Sequence, residues 1–306
     1  MISPMGDVAI EIDSLTKDYG RRRALDALTL QVRTGEVFGF LGPNGAGKTT
    51  TIRILLDLLR PTSGRATVLG LDVRRQAMAL HQRIAYVPGD VALWPQLTGG
   101  QAIDTLLHLH GTPGDQARRA ELIERFQLDP SLRCRTYSKG NRQKVALVAA
   151  FATGAELLIL DEPTSGLDPL MGETFRECVR EARAEGRTLF LSSHILGEVE
   201  SICDRVGVVR AGQLVDSGTL NELRHLSAYT VEAELAGPVQ VDGLPGVTEA
   251  ILTEPETGRY RLTCRAQPGT MDRLLAALAT AGVHTLTSRP PTLEELFLGY
   301  YTEAGK

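Results

Sequence analysis

Residues 37–50 read VFGFLGPNGAGKTT. The first five are apolar without polar alternation, the texture of a strand covered on both faces. TTTIRILLDLL (49–59) reads as the helix that follows at once. Between them, Gly42, Gly45 and Gly47 let successive backbone N–H groups face one anion, and the start of the helix adds the positive end of its dipole. In this Gly-x-x-x-x-Gly-Lys-Thr spacing Lys48 is placed to reach the β- and γ-phosphates of a nucleotide, and Thr49 to offer its hydroxyl to Mg²⁺. The plain alternative is a glycine-rich turn that happens to hold a lysine. A strand before it and a helix after it, both in place, disfavour that alternative.

The texture continues downstream. PTSG (61–64) reads as a turn, and ATVLG (66–70) and RIAYV (83–87) read as strands in the style of VFGFL. Both are therefore expected in an α/β core, a parallel sheet covered by helices. LLILD (157–161), a helix after Pro169, TLFLSS (188–193), a helix around Ile195 to Cys203 and the hairpin RVGVVRAGQLVDSG (205–218) complete the core. Ahead of it, Val8, Ile10 and Ile12, then Leu28, Leu30 and Val32, alternate in period two, which predicts antiparallel strands. From Leu97 to Leu128 two helices follow one another with no strand. Thr98 and Gln101 have capping-box spacing, Gly111 ends the first helix and Asp115 caps the second. A helical insert over about 97–150 is the expectation.

Beyond about residue 225 the glycine loops stop. YTVEAEL, VTEAILTE, a Glu256-Thr257-Gly258 turn, RYRLTCRA, helix MDRLLAALATAG, strand VHTLTS and helix TLEELFLGYY predict a small α+β sandwich. The domains are thus placed at 1–225 and 226–306. A chain of 306 residues exceeds what one core usually serves, in keeping with that division.

Composition narrows the class. The net charge of −4 comes from interspersed signs, with no block of like charge to mark a nucleic-acid tail. Cys134, Cys178, Cys203 and Cys264 are scattered without a Cys-x-x-Cys pair, against both a disulfide framework and a zinc site. No basic start followed by an apolar run marks a secretory signal. The longest uncharged, largely apolar stretch, Val145 to Ala155, falls short of the roughly 18 residues a spanning helix needs. Any membrane role is expected to run through a partner.

Two further stretches carry chemistry. In LLILDEP a buried strand ends in adjacent carboxylates, which are costly to bury unless something satisfies them. Asp161 suits Mg²⁺, and Glu162 suits a water poised for in-line attack on a γ-phosphate. An acidic strand-to-loop turn before Pro163 is the simpler alternative. YSKGNRQKVALVAA (137–150) crowds a hydroxyl, a glycine, an amide and three cations onto the first turns of a helix that becomes apolar only from Val145. Taken alone, it reads as a well-capped core helix.

GPNGAGKTT, YSKGNRQKV, LLILDEPTSGLDP and SSH, in this order and at these spacings, resemble the ATP-binding subunit of an ABC (ATP-binding cassette) transporter, a P-loop NTPase, over about 1–225. The resemblance implies ATP and Mg²⁺ as cofactors, with nucleotide contacts from Gly42, Pro43, Asn44, Gly45, Ala46, Gly47, Lys48, Thr49 and Thr50. It implies metal contacts at Thr49 and Asp161 and catalytic roles for Glu162 and for His194, the switch histidine. Tyr19 matches the aromatic that stacks on adenine, with a strand-end tyrosine as the alternative. Asp168 matches the loop that signals between two sites, and also reads as a helix cap before Pro169.

In this family two cassettes close head-to-tail over ATP. The resemblance therefore implies that Ser138 and the Gly140 N–H serve nucleotide bound by a second chain, identical or related. It also implies a separate integral membrane permease, attachment to the cytoplasmic side of the membrane through it, and no nucleic-acid partner. The C-terminal unit, with its ending PPTLEELFLGYY, is similar to the accessory domain of bacterial drug- and multidrug-export cassettes, which favours export.

Two positions depart from the family. Gly89 stands where a glutamine usually senses Mg²⁺ and the attacking water, and the neighbouring Asp90 is the candidate substitute as a metal contact. Lys139 and Asn141 replace the usual Gly and Gln, with Lys139 either adding charge near the shared phosphate or pointing to solvent. In VALWPQLTGG, Trp94 and Leu97 either anchor a permease helix or pack within the loop. A soluble cassette ATPase acting on DNA or ribosomes is the competing reading. The long coiled coil or paired cassettes usual in such relatives are absent here. A regulatory module that holds ATP without turnover would be favoured if Glu162 were missing.

Overall fold

The computed structural model describes residues 8–111, 115–225, 228–256 and 258–290. The chain divides at Ser217/Gly218 into two compact units.

In the first unit, β1 (Val8–Tyr19) and β2 (Arg22–Arg33) form an antiparallel pair, Ile12 opposite Leu30. β3 (Val37–Leu41) follows, then the glycine loop and α1 (Lys48–Leu55). β4 (Ser63–Val68), β5 (Leu71–Asp72), α2 (Ala77–His81) and β6 (Ile84–Val87) come next. The helical insert holds α3 (Gly99–His110), α4 (Gln116–Arg125) and α5 (Lys139–Ala152). β7 (Leu157–Asp161), α6 (Pro169–Ala184), β8 (Thr188–Ser193), α7 (Leu196–Ile202), β9 (Arg205–Arg210) and β10 (Gln213–Thr219) close the series, β10 running across the division.

The strands sort into a four-stranded sheet, β2-β1-β4-β5, and a six-stranded one, β10-β9-β3-β8-β7-β6. β3, β7 and β8 are buried at every position and pair in parallel, as their unbroken apolar runs require. ATVLG does not join them. Its strand, β4, pairs antiparallel with β1, Ile12 opposite Ala66. Only Ala66 and Val68 are buried in it, while Arg65 is exposed, so this strand has one wet face. The expectation of a parallel partner fails because β4 alternates where β3 does not.

One hydrophobic cluster joins the two sheets through α1, combining Ile10, Leu28 and Val68 with Phe40, Ile52, Leu55, Ile159 and Phe190. α1 touches β2 and β4 as well as β7. The phosphate loop is therefore held by a helix seated between two sheets, at the carboxyl end of β3. In the insert, Thr98 and Gln101 form the reciprocal capping box, Gly111 closes α3 in the left-handed conformation, and Asp115 accepts the N–H of Ala117 and Arg118. All four cysteines are buried thiols. Burial pushes that of Cys178 up to about 11.

The second unit holds α8 (Leu220–His225) after the end of β10 and builds an antiparallel sheet from β11 (Tyr229–Leu235), β12 (Val247–Glu256), β13 (Arg259–Ala266) and β14 (Val283–Arg289), in the order β12-β13-β11-β14. Val231 opposite Cys264 and Ala233 opposite Leu262 put their side chains on one face. Leu274 and Leu278 of α9 (Met271–Thr280), one turn apart, join them in the core. The final helix expected at TLEELFLGYY lies outside the described residues.

Candidate functional site

The glycine loop is shaped by crowding from behind. Gly47 takes φ 113°, and a Cβ there would fall 2.7 Å from Leu25 Cδ2 and 2.9 Å from the Ala24 carbonyl oxygen. Only glycine meets both demands. Gly47 also leads into α1 without any side-chain cap, so the first N–H groups of that helix stay open to a ligand. They border a cleft of ≈ 270 Å³, lined by the loop from Pro43 to Thr50 except Ala46, and by Tyr19, Arg22, Ala24 and Glu162. Gly42 and Ala46 are buried in the base of the loop.

Lys48 is 5% exposed, and its Nζ donates to the Gly42 carbonyl at 2.6 Å and the Pro43 carbonyl at 3.3 Å. Burial pushes its ammonium below the ordinary lysine value, against the pull of the Glu162 and Asp161 carboxylates. Glu162 Oε1 stands 3.7 Å from Nζ. An ammonium so placed gains strongly from an arriving anion.

Asp161 ends β7 and is almost fully buried. Its Oδ2 accepts from the Thr49 hydroxyl at 3.0 Å and its Oδ1 from the Ser192 hydroxyl at 2.5 Å. Asp161 and Ser192 are direct neighbours in the β7–β8 register. Ser192 also holds the next residue, because the Glu162 N–H donates to both its hydroxyl and its carbonyl at 3.1 Å. Glu162 itself sits at φ 49°, an uncommon backbone for a non-glycine residue and a form of strain that clusters at functional sites. His194, just past β8, brings Nδ1 to 3.2 Å from Glu162 Oε1. One carboxylate oxygen thus lies between the buried lysine and a half-exposed imidazole.

α5 begins differently. Ser138 caps it, accepting the Asn141 N–H at 3.2 Å, and Tyr137 anchors the approach by donating to the Asp129 carbonyl at 2.5 Å. Gly140 is wedged against the loop after Glu162: a Cβ there would collide with the Gly166 carbonyl. Lys139 Nζ donates to Ser165 Oγ at 2.7 Å, so it ties α5 to the same loop and is not merely solvated. Asp168 ends that loop and caps α6 through the Met171 N–H at 2.9 Å, with Pro169 in the first turn. Ser138, Gly140 and Asp168 do not line the cleft of their own chain.

Tyr19 ends β1 half-exposed at the mouth of the cleft, with Lys17 Nζ 5.2 Å from its ring centre. Asp90 is exposed and does not line the cleft. It is Gly89 that packs against the centre, where a Cβ would lie 3.1 Å from the Asp161 carbonyl oxygen. Trp94 is 39% exposed. The sequence reading passed over Arg22, which puts a further cation on the cleft, and Ser192, which sits inside the SSH stretch but was outshone by its histidine.

The donors around Thr49 and Asp161 are hard oxygens in mutual contact, the chemistry that Mg²⁺ takes. A phosphate cradle, a buried lysine and paired carboxylates, set between an antiparallel and a parallel sheet, define a nucleotide-hydrolysing cassette. The profile of the ABC transporter family matches residues 25–165. The daunorubicin resistance ATP-binding protein DrrA3 of Streptomyces coeruleorubidus is 39% identical over 96% of each chain. The linearmycin resistance ATP-binding protein LnrL of Bacillus subtilis is 34% identical over 94% of this chain and 97% of its own. A solved ATP-binding subunit of an ABC transporter is 31% identical with a TM-score of 0.65, covering 71% of this chain and 92% of its own. The chain belongs to the ABC transporter family, as an ATP-binding subunit with ABC-type ATPase activity.

Proposed function

We propose that this chain powers export of a substrate across the cytoplasmic membrane through a separate permease, by ATP-driven closure of two cassettes. The observation that carries the reading is the position of Glu162, whose Oε1 is 3.7 Å from Lys48 Nζ and 3.2 Å from His194 Nδ1. A nucleotide entering the cleft offers phosphate oxygens to Lys48 in place of Glu162. The freed carboxylate then takes a proton from the attacking water at Oε1, with His194 beside the γ-phosphate. Thr49 and Asp161 would hold Mg²⁺, which when bound neutralises charge on the β- and γ-phosphates. Tyr19 stacks on the adenine ring at the cleft mouth.

Ser138 and the Gly140 N–H complete the site of a second cassette, identical or related, with Asp168 relaying between the two. The supporting fact is that they lie outside the cleft of their own chain. Similarity to drug-resistance ATP-binding proteins over nearly the whole chain favours export. No helix among the described residues is long and apolar enough to cross a membrane. The proposed location is therefore peripheral, on the cytoplasmic face through the permease, with Trp94 exposed as a contact for it.

The test is to tag Glu162→Gln in the native cell, extract membranes gently with ATP and Mg²⁺, and identify what co-purifies. A stoichiometric multi-spanning protein is expected. Recovery of ribosomes, nucleic acid or only soluble partners would put the soluble-ATPase reading first.

A further inference from the structure

A cleft of ≈ 500 Å³ borders the end of α1 remote from the phosphate loop. α1 has 8 residues, so the two sites stand roughly 12 Å apart along its axis at about 1.5 Å per residue. Arg60 enters from the segment after α1, Arg65 from β4, and Arg74 and Arg75 from the turn after β5. Asp57 and Asp72 are the carboxylates in the lining. The chain as a whole is net acidic, so this concentration of guanidinium groups runs against its background.

The fold makes little use of these cations. Asp72 spends Oδ1 on the backbone N–H groups of Arg75 and Arg74, at 2.9 and 3.0 Å, and those bonds hold its carboxyl below the usual range. Arg65 pairs with Asp13 at 3.0 Å, an exposed contact of small worth. Among the described residues, the side chains of Arg60, Arg74 and Arg75 have no hydrogen bond or close ion pair, though the charges of Arg75 and Arg74 add to the lowering of the Asp72 carboxyl. Nor do they cap α1: the carbonyls of Ile52, Arg53 and Ile54 are met by the N–H groups of Leu56, Asp57, Leu58 and Leu59, and that of Leu56, just past the helix, by His81 Nε2. Guanidinium forks gathered around a polar hollow, three of them without a hydrogen bond to the described residues, match the oxygens of phosphate groups.

We propose that this cleft is a second anion site, separate from the nucleotide cleft, that binds a phosphate-bearing ligand. The headgroup of an anionic lipid and a free phosphate compound share that chemistry, and the test separates them. With a non-hydrolysable ATP analogue saturating the nucleotide cleft, the full chain is sedimented with phosphatidylcholine vesicles with and without phosphatidylglycerol. In parallel it is titrated with inorganic pyrophosphate. Both are repeated on the triple variant Arg60→Gln, Arg74→Gln, Arg75→Gln, whose affinity for the ATP analogue reports an intact fold.

Binding to the phosphatidylglycerol vesicles alone, weakened on the order of 10²-fold in the triple variant at about fivefold per basic residue, assigns the site to headgroups. Pyrophosphate binding that the triple variant loses assigns it to a free phosphate compound. No binding of either probe, or binding that the triple variant retains, overturns the proposal.

Discussion

The starts of α1 and α5 are both glycine-containing helix N-termini with lysine nearby, yet they are built in opposite ways. α1 is led by Gly47 in a left-handed conformation and has no side-chain cap, so its donors are left for a ligand. α5 is capped by Ser138, its Gly140 is pressed on Gly166, and its Lys139 is tied to Ser165. Its own fold has satisfied part of what α1 leaves unsatisfied. The difference teaches that one terminus is left open on a cleft of its own chain, as the proposed phosphate contact requires. The other is fixed to the loop that follows Glu162, in keeping with the proposal that it serves a second chain.

That contrast can be broken by substitution. The largest effect is expected from Glu162→Gln, which keeps ATP binding and slows phosphate release by on the order of 10²–10⁴-fold, the range for losing a general base. Near-normal turnover would remove Glu162 from the mechanism. Lys48→Ala deletes a charge-assisted contact, so ATP affinity of the isolated chain is expected to fall roughly 10- to 100-fold, as measured by nucleotide titration. Unchanged affinity would mean that α1 does not receive the phosphates.

Gly140→Ala forces a methyl group onto the Gly166 carbonyl and is expected to cost about 1–3 kcal/mol in denaturant unfolding. ATP affinity of the isolated chain should stay as it was, while ATP-driven association followed by sedimentation should weaken. Loss of ATP affinity in the separated chain would erase the distinction between the two helix starts. The smallest effect belongs to Asp90→Ala, with turnover and Mg²⁺ dependence within about twofold, as for a surface change. A larger loss would bring Asp90 into the metal set despite its exposure.

Most of the candidate site's local geometry was legible because its parts lie close together in sequence. The phosphate loop needs glycines within a few residues of one another, between a strand and a helix, and that arrangement is visible in VFGFLGPNGAGKTT. The caps at Thr98, Asp115, Ser138 and Asp168 follow from spacing alone, and each has the hydrogen bond its spacing predicts. The misplaced strand, ATVLG, failed because three apolar residues do not distinguish a covered face from an alternating one. Ser192 went unassigned for a related reason: its importance comes from lying opposite Asp161 across a parallel ladder, 31 residues away in sequence.

The sequence by itself determined the elements whose cause is near at hand: the glycine turn, the helix starts and the buried parallel strands. Only the tertiary structure decided which residues share an atom's neighbourhood. It placed Glu162 between Lys48 and His194, tied Lys139 to Ser165, put Gly89 instead of Asp90 against the Asp161 carbonyl, and gathered four arginines from separate segments at the end of α1. Propensity and spacing act along the chain, whereas such contacts are set by strand register and by the packing of α1 between two sheets, which no local pattern encodes.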